Sequence, residues 1–455
     1  MATFRVTGEM SSSKGILRRI EDAELDNVED PRHQPWVVHP LGALLCLAVV
    51  ALATGARSTR AVEYRSEQLH PKIRHQFELE ERVSDNAFGL VLPRLVWSEL
   101  RRALHRQVKA EWRRRNLRPS RLSHSTVAID GKHMARIPEW RLRAIITRQT
   151  SLDGQNLTNA ELKTVLKSQL PYVQWHDRKE ESSYGLVRVH RATLISSDAA
   201  AVIDQWPIRG ETNEEGTINT TLGALLDAYG RTNIVELVTL DAGNATRGMA
   251  QTLQHRDVDY LMAIKSPQGA IHQMAVDTLA EQPGNQAGTT IRYREDGKTI
   301  CYTVWTHRVD DDLGWLGASQ LVRVERVVVE NDGDITVGNR FFVTSLGGDQ
   351  LDSDEALKLV KAHWRCENNG HWTADAIWEE DAYRTPWTSH PDGILAVGLL
   401  RMIAFNILSV MRTLSRIKND KNKEQHKPTW KMVIEQALLV TCRPLLNMTR
   451  FNAFE

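Results

Sequence analysis

Apolar and polar positions follow three successive patterns along this chain, and each pattern predicts a different kind of element. Residues 1–28 are mostly polar and read as a polar N-terminal arm. Residues 41–53, LGALLCLAVVALA, are continuously apolar. At thirteen residues this run is short of the roughly 17 to 25 needed to cross a bilayer, so it predicts a buried helix. Thr54, Gly55 and Arg57 end it as a helix leaving a core would end. After a mixed segment over residues 71–92, Leu100, Leu104, Val108 and Trp112 recur every fourth residue, which predicts a helix with one buried stripe. Residues 29–124 therefore read as a helical N-terminal domain.

A different texture begins at Ser125. STVAID predicts a short strand ending in an acid, with Gly131 turning the chain. LRAIIT (142–147) and GLVRVHRATLI (185–195) predict further strands. A helix over 219–229, the strand NIVELVTLD (233–241), a helix over 246–254 and the strand DYLMAIK (259–265) follow. This alternation predicts an α/β sheet. Residues 267–288 are rich in turn formers. From 289 to 346 strands dominate, separated by Asp-Gly and Gly-Asn turns, and predict an antiparallel insertion that projects from the core without continuing its central sheet. Helices return over 353–377, 393–417 and 430–446. The α/β domain thus spans 125–380, interrupted at 280–350 by the β-rich insertion, and 381–455 form a helical C-terminal segment.

Composition narrows this picture modestly. Of 455 residues 41% are hydrophobic and 25% charged, which fits a folded chain, and the formal net charge is only +1. The basic residues are unevenly spread: positions 101–121 hold nine Lys or Arg and one acid, Glu111. Arg102, Arg106, Lys109, Arg113 and Arg114 are the candidates there for contact with DNA phosphates, against the alternative of an ordinary solvated helix face. Arg323 and Arg326 are the corresponding candidates in the insertion. Cys46, Cys301, Cys366 and Cys442 form no CxxC pair, and the first residues carry no uninterrupted apolar stretch of an export signal, so a cytoplasmic chain without membrane partners is expected.

Asp130 and Asp241 each follow an apolar strand, VAID and LVTLD, where side chains emerge at the carboxyl ends of an α/β sheet. Acids at such places also cap helices. A third feature changes the balance: in HWRCENNGHWTAD, His363, Glu367, His371 and Asp375 recur every four residues and share one helix face, beside Trp364 and Trp372. Hard carboxylate oxygens suit Mg²⁺, with Mn²⁺ as a substitute. Two such ions roughly 3.5 to 4 Å apart can serve both the attacking and the leaving oxygen of phosphoryl transfer. Asp130, Asp241 and Glu367 are the expected catalytic and metal-holding residues, with His371, Asp375 and Lys132 arranged around them. A zinc hydrolase built on HxxxExxxHxxxD and a purely structural interaction protein are the competing readings.

The motifs resemble those of DDE transposases of the ISAs1 group, relatives of IS4-type transposases and of the H-repeat-associated proteins. VAIDGK matches the family's first-acid motif, LVTLDA followed by DYLMAIKSPQ its second, and HWRCENNGHWTADAIWEED its glutamate motif. ETNEE, residues 211–215, matches an acidic segment upstream of the second acid. DPR and HPL near residues 30–41, VERVVVENDG and FFVTSL extend the likeness over residues 29–410. Departures include Ala135 in place of a family Arg, Thr246 in place of Gln and Glu211 in place of Lys; the tyrosine, arginine and lysine of the broader IS4 signature are replaced by Val360, His363 and Ala374. The resemblance implies an RNase H-like catalytic core and metal-dependent cleavage and strand transfer of double-stranded DNA at transposon ends. It also implies target DNA as a second partner and a homo-oligomer in the synaptic complex. The alternative is a degenerate or domesticated relative that keeps the fold, and DNA binding, without transposition.

Overall fold

A computed structural model of the chain describes residues 5–7, 12–33, 37–178, 182–310, 313–366, 372–380, 386–418 and 425–442. After the short strand β1 (Arg5–Thr7) come helices α1 (Lys14–Glu21), α2 (Leu41–Ala53), α3 (Thr59–Gln68), α4 (Pro71–Gln76), α5 (Asp85–Val91) and α6 (Trp97–Arg113). Helix α2 has no polar face, and every residue in it except Cys46 is buried. On α6 the stripe Leu100, Leu104, Val108 and Trp112 is buried, as its spacing predicts. The polar arm expected over residues 1–28 is corrected within its described part. Helix α1 buries Ile16, Leu17 and Ile20, one helical face set among polar neighbours.

The second part of the chain builds one ten-stranded sheet from β2 (Thr126–Pro138), β3 (Val173–His176), β4 (Tyr184–Leu194), β5 (Ala201–Pro207), β6 (Leu237–Leu240), β7 (Asp259–Ile264), β8 (Thr289–Glu295), β9 (Lys298–Arg308), β10 (Gln320–Val329) and β11 (Ile335–Thr344). Its order is β3-β4-β2-β6-β7-β11-β10-β9-β8, and β5 also pairs with β4. Strands β2 and β5 both run antiparallel to β4, whereas β6 and β7 run parallel to β2. The intervening helices are α7 (Glu139–Gln149), α8 (Asn159–Gln169), α9 (Glu215–Tyr229), α10 (Arg247–Gln254) and α11 (Ala270–Leu279). They are followed by α12 (Ser353–Arg365), α13 (Trp372–Trp378), α14 (Pro391–Leu414), the strands β12 (Arg416–Lys418) and β13 (Gln425–His426), and α15 (Trp430–Thr441).

Strand alternation divides the apolar residues in the middle of the sheet between two cores, and a third gathers Met134, Ile137, Val187 and Val189 of β2 and β4 with residues of α7, α8 and α14. Val127, Ile129, Val238 and Leu240 join a continuous cluster with residues of α1, α2, α6, α9, α10 and α14. Ala128, Leu237 and Leu261 face the other way and meet Leu357 and Val360 of α12. The N- and C-terminal helical parts therefore share a core with the sheet. Helix α14 is long and apolar enough to cross a membrane by length and composition alone, yet its apolar window is entirely buried inside the protein. Its Asn406 serves β5: Oδ1 accepts from the Val202 N–H and Nδ2 donates to the Val202 carbonyl, both at 2.8 Å. This side chain thereby satisfies backbone groups that no neighbouring strand meets.

Several local expectations are corrected. LRAIIT lies in α7, because Leu142 and Ile146, four residues apart, bury one helix face despite the β-branched run. The turn-rich stretch contains α11, which buries Ile271, Ala275 and Leu279 at the same spacing. Gly131 does not turn the chain, since β2 continues through it to Pro138. Strands β8 to β11 form the expected antiparallel meander. They do, however, continue the central sheet, because Phe341 to Thr344 of β11 pair with Leu261 to Ile264 of β7.

Candidate functional site

Parallel pairing of β2 with β6 sets Ile129 beside Leu240, so the next pair in register is Asp130 and Asp241. Neighbouring strands lie about 4.8 Å apart, which brings the two acids side by side. Asp241 follows the end of β6, as expected, whereas Asp130 is corrected from a strand end to a position inside β2, which runs on for eight more residues to Pro138. Asp130 Oδ1 accepts the Gly131 N–H at 2.8 Å, and Asp241 Oδ1 accepts the Asn244 N–H at 3.2 Å. By alternation Asp130 and Lys132 share a sheet face with Thr239 and Asp241, the face that α12 covers.

Helix α12 is fastened there through His363, whose Nδ1 lies 2.8 Å from Thr239 Oγ1. Burial pushes this imidazole down to about 4, with the Asp241 carboxylate opposing the shift and the Arg340 guanidinium adding to it. Glu367 is four residues further along the sequence; it and His371 lie outside the described residues. Lys132 and Asp375 bond to each other: Lys132 Nζ donates to Asp375 Oδ1 at 2.6 Å and so ties β2 to α13. Arg191, opposite Asp130 in the β2–β4 register, pairs with Glu380 at 3.0 Å, both side chains being fully buried. Burial would raise the Glu380 carboxyl, but Arg191 and Arg401 outweigh it and hold the group below its usual range. These pairs anchor the chain on the C-terminal side of Glu367.

A further acid, Glu214, stands beside the aspartate pair. A Cβ built on Gly131 would lie 2.3 Å from the Glu214 carboxyl carbon, so the glycine leaves the space in β2 that this carboxylate occupies. Burial raises the Glu214 carboxyl above its usual range; Arg188 opposes the shift and Asp241 adds to it. The Asn244 residue is 1% exposed, and its side chain lies close enough to the Glu214 carboxyl to oppose the rise as well. The ETNEE segment carried the signal for Glu214, but strand periodicity does not reveal that this loop meets Gly131. Among the described residues, no three His, Cys, Asp or Glu side chains are grouped closely enough to form a metal site.

The basic candidates separate into two groups. Arg106 bonds the Ala23 and Glu24 carbonyls, Arg114 pairs with Asp22 and Glu111, and Lys109 lies 5.5 Å from the Tyr229 ring centre. These side chains dock α6 onto its neighbours. Arg102 is exposed beside Glu99 at 3.0 Å, and Arg113 is exposed. Arg323 is corrected as a phosphate contact: it is buried, lies over the Trp305 ring, and donates to the Leu279 and Ala280 carbonyls at the end of α11. Arg326 is exposed.

Residues 23–108 match the family described as DDE_Tnp_1-associated. The chain is 24% identical over 267 residues to the putative transposase YncI of Escherichia coli O157:H7, covering 56% of this chain and 65% of that protein. It is 23% identical over 204 residues to the H repeat-associated putative transposase YhhI of Escherichia coli strain K12, covering 42% of this chain and 52% of that one. The chain is a distant homologue of these proteins. It spans between about half and two thirds of the length of the curated relatives it matches.

Proposed function

We propose that this chain is a DDE-type transposase that cleaves transposon-end DNA and joins it to target DNA by in-line phosphoryl transfer. The observation that carries this reading is the placement of Asp130, within β2, as the neighbour in register of Asp241, which directly follows the parallel strand β6. The His363–Thr239 contact supports it by fixing the helix that leads to Glu367 against the strand that leads to Asp241. The order β5-β4-β2-β6-β7, three antiparallel strands followed by two parallel ones, supports an RNase H-like core. Distant homology to putative transposases points the same way.

The residues present fit a hard divalent cation. Asp130 and Asp241 offer carboxylate oxygens side by side, and the Glu214 carboxyl lies beside them. Asp130, Asp241 and Glu367 would hold Mg²⁺ or Mn²⁺, two ions in the complete site. The cation would supply Lewis-acid neutralisation of charge on the scissile phosphate. The protein's own part is positional. The sheet holds the aspartates in register, the Thr239–His363 contact fixes α12, and the Lys132–Asp375 and Arg191–Glu380 pairs hold the following segment against β2 and β4. Preset geometry of this kind removes orientational freedom before the bond changes. We place the activity on DNA in the cytoplasm, with a homo-oligomer bringing two ends together.

The test is incubation of the purified chain with duplexes carrying the genomic sequence that flanks its gene, with Mg²⁺, Mn²⁺ or EDTA. Cleavage at defined ends that EDTA stops and Asp130→Asn abolishes is the expected result. Binding of those duplexes without cleavage under either metal would favour the inactive relative instead.

A further inference from the structure

The strand insertion places a line of cations beside the candidate carboxylates. Cross-strand register carries one row from Asp241 to Ala263 of β7 and on to Phe342 of β11. Arg340 is two residues from Phe342 on the same face, and the register continued past Phe341–Ile264 sets it next to Lys265. Arg326, opposite Gly338, is its diagonal neighbour on that face. Arg340, Arg326 and Lys265 are all exposed, and none forms an ion pair among the described residues.

Two observations connect this line to the site. The Arg340 guanidinium lies 4.1 Å from the Trp364 ring centre, a stack that orders a long side chain and leaves its donors available to an anion. Arg340 and Asp241 also act with opposite sign on the same imidazole, that of His363, so both charges lie close to it. Two strand spacings separate β6 from β11, roughly 10 Å.

We propose that Arg340, with Arg326 and Lys265, holds the backbone phosphates of duplex DNA next to the phosphate being cleaved. Arg340 is a positioning residue. Its planar fork donates to phosphate oxygens while Trp364 limits its motion, and the two neighbouring cations extend the track along the insertion. The proposal rests on the transposase reading for its purpose, but binding to phosphate can be measured without cleavage.

Fluorescence anisotropy with a labelled duplex of arbitrary sequence, in EDTA and over a series of salt concentrations, provides the test. Removing one cation that neutralises a phosphate should make the log–log salt slope shallower by about 0.9. Arg340→Ala and Arg326→Ala are expected to bind more weakly with reduced slopes, and Arg340→Lys to retain most of the slope. Lys265→Ala, altered beyond the end of β7, supplies an independent reading if a strand substitution lowers the melting temperature. Wild-type affinity and slope in variants that melt like the wild type would overturn the proposal. Wild-type protein that binds DNA with the expected slope but never cleaves its flanking sequence would refute the transposase reading and leave the phosphate track standing.

Discussion

Thr239 Oγ1 and His363 Nδ1 lie 2.8 Å apart and join the strand that precedes one candidate acid to the helix that precedes another. Thr239→Val keeps the side-chain shape and removes this hydrogen bond. We expect cleavage to fall by about 10- to 100-fold, the usual effect of removing a group that orients a ligand, with DNA affinity unchanged. Parallel cleavage and anisotropy measurements separate the two effects, and a fall confined to affinity would contradict the orienting role.

Asp130→Asn, Asp241→Asn and Glu367→Gln should each abolish cleavage and largely preserve duplex binding. Isothermal titration with Mn²⁺ gives a second readout, expected to weaken in each variant. Full activity in Glu367→Gln would remove that residue from the site. His371→Ala should cause only partial loss.

Gly131→Ala places a methyl group where the Glu214 carboxylate now lies. Because the obstruction is the far end of one side chain, shortening Glu214 should relieve it. The single variant should melt at lower temperature and bind Mn²⁺ less tightly, whereas Gly131→Ala combined with Glu214→Ala should recover thermal stability. Additive losses in the double variant would show that some other group meets the methyl.

Stability should decline in mild acid. His190 is fully buried, with Nδ1 2.9 Å from Thr221 Oγ1 and Nε2 unbonded, and burial, helped by Arg188, brings its pKa down to about 4. Above about 6.5 the imidazole is neutral in both folded and unfolded chains and has no effect on the balance. Below that value the unfolded chain takes up a proton that the folded chain refuses, so stability falls until pH reaches about 4 and then levels. This single group accounts for roughly 3 kcal/mol across the window. Urea unfolding between pH 7 and 5, at about half-unit steps, should show the decline, and a shallower one for His190→Gln.

Helix α6 should tolerate loss of its exposed cations better than loss of Arg101. Arg101 Nε and Nη2 each lie 2.6 Å from the buried Asp204 carboxylate, and His105 Nε2 lies 3.1 Å from it. Burial would raise the Asp204 pKa, but His105 and Arg101 bring it down to about 2. Arg101→Ala leaves much of that charge uncompensated and should cost about 3 to 5 kcal/mol. Arg102→Ala and Arg113→Ala should each leave the unfolding free energy within about 0.5 kcal/mol of wild type, as read by urea denaturation.

The aspartates were legible because each follows a short apolar run, although only Asp241 stands past the end of its strand and β2 continues beyond Asp130. The α6 stripe was legible for a similar local reason. Arg323 was not: its phase within β10 is readable, but which face α11 covers depends on the route of the chain. Gly131 reads locally as a turn, and its actual role depends on Glu214, 83 positions away. Helices α1, α7 and α11 did carry usable four-residue spacings, masked by polar neighbours, a β-branched run and turn formers respectively. The relation of the insertion to the sheet rests on the pairing of FFVT with LMAI, which neither segment announces.

That pairing has a consequence for any shortened form of the protein. Excising β8 to β11 would strip β7 of its outer partner and bare the backbone donors and acceptors of Leu261 to Ile264 along an open sheet margin. Such a margin recruits strands from other molecules, so the trimmed protein would tend to self-associate and precipitate instead of persisting as a smaller soluble enzyme. The insertion is therefore a built-in guard against aggregation, whatever it does for DNA.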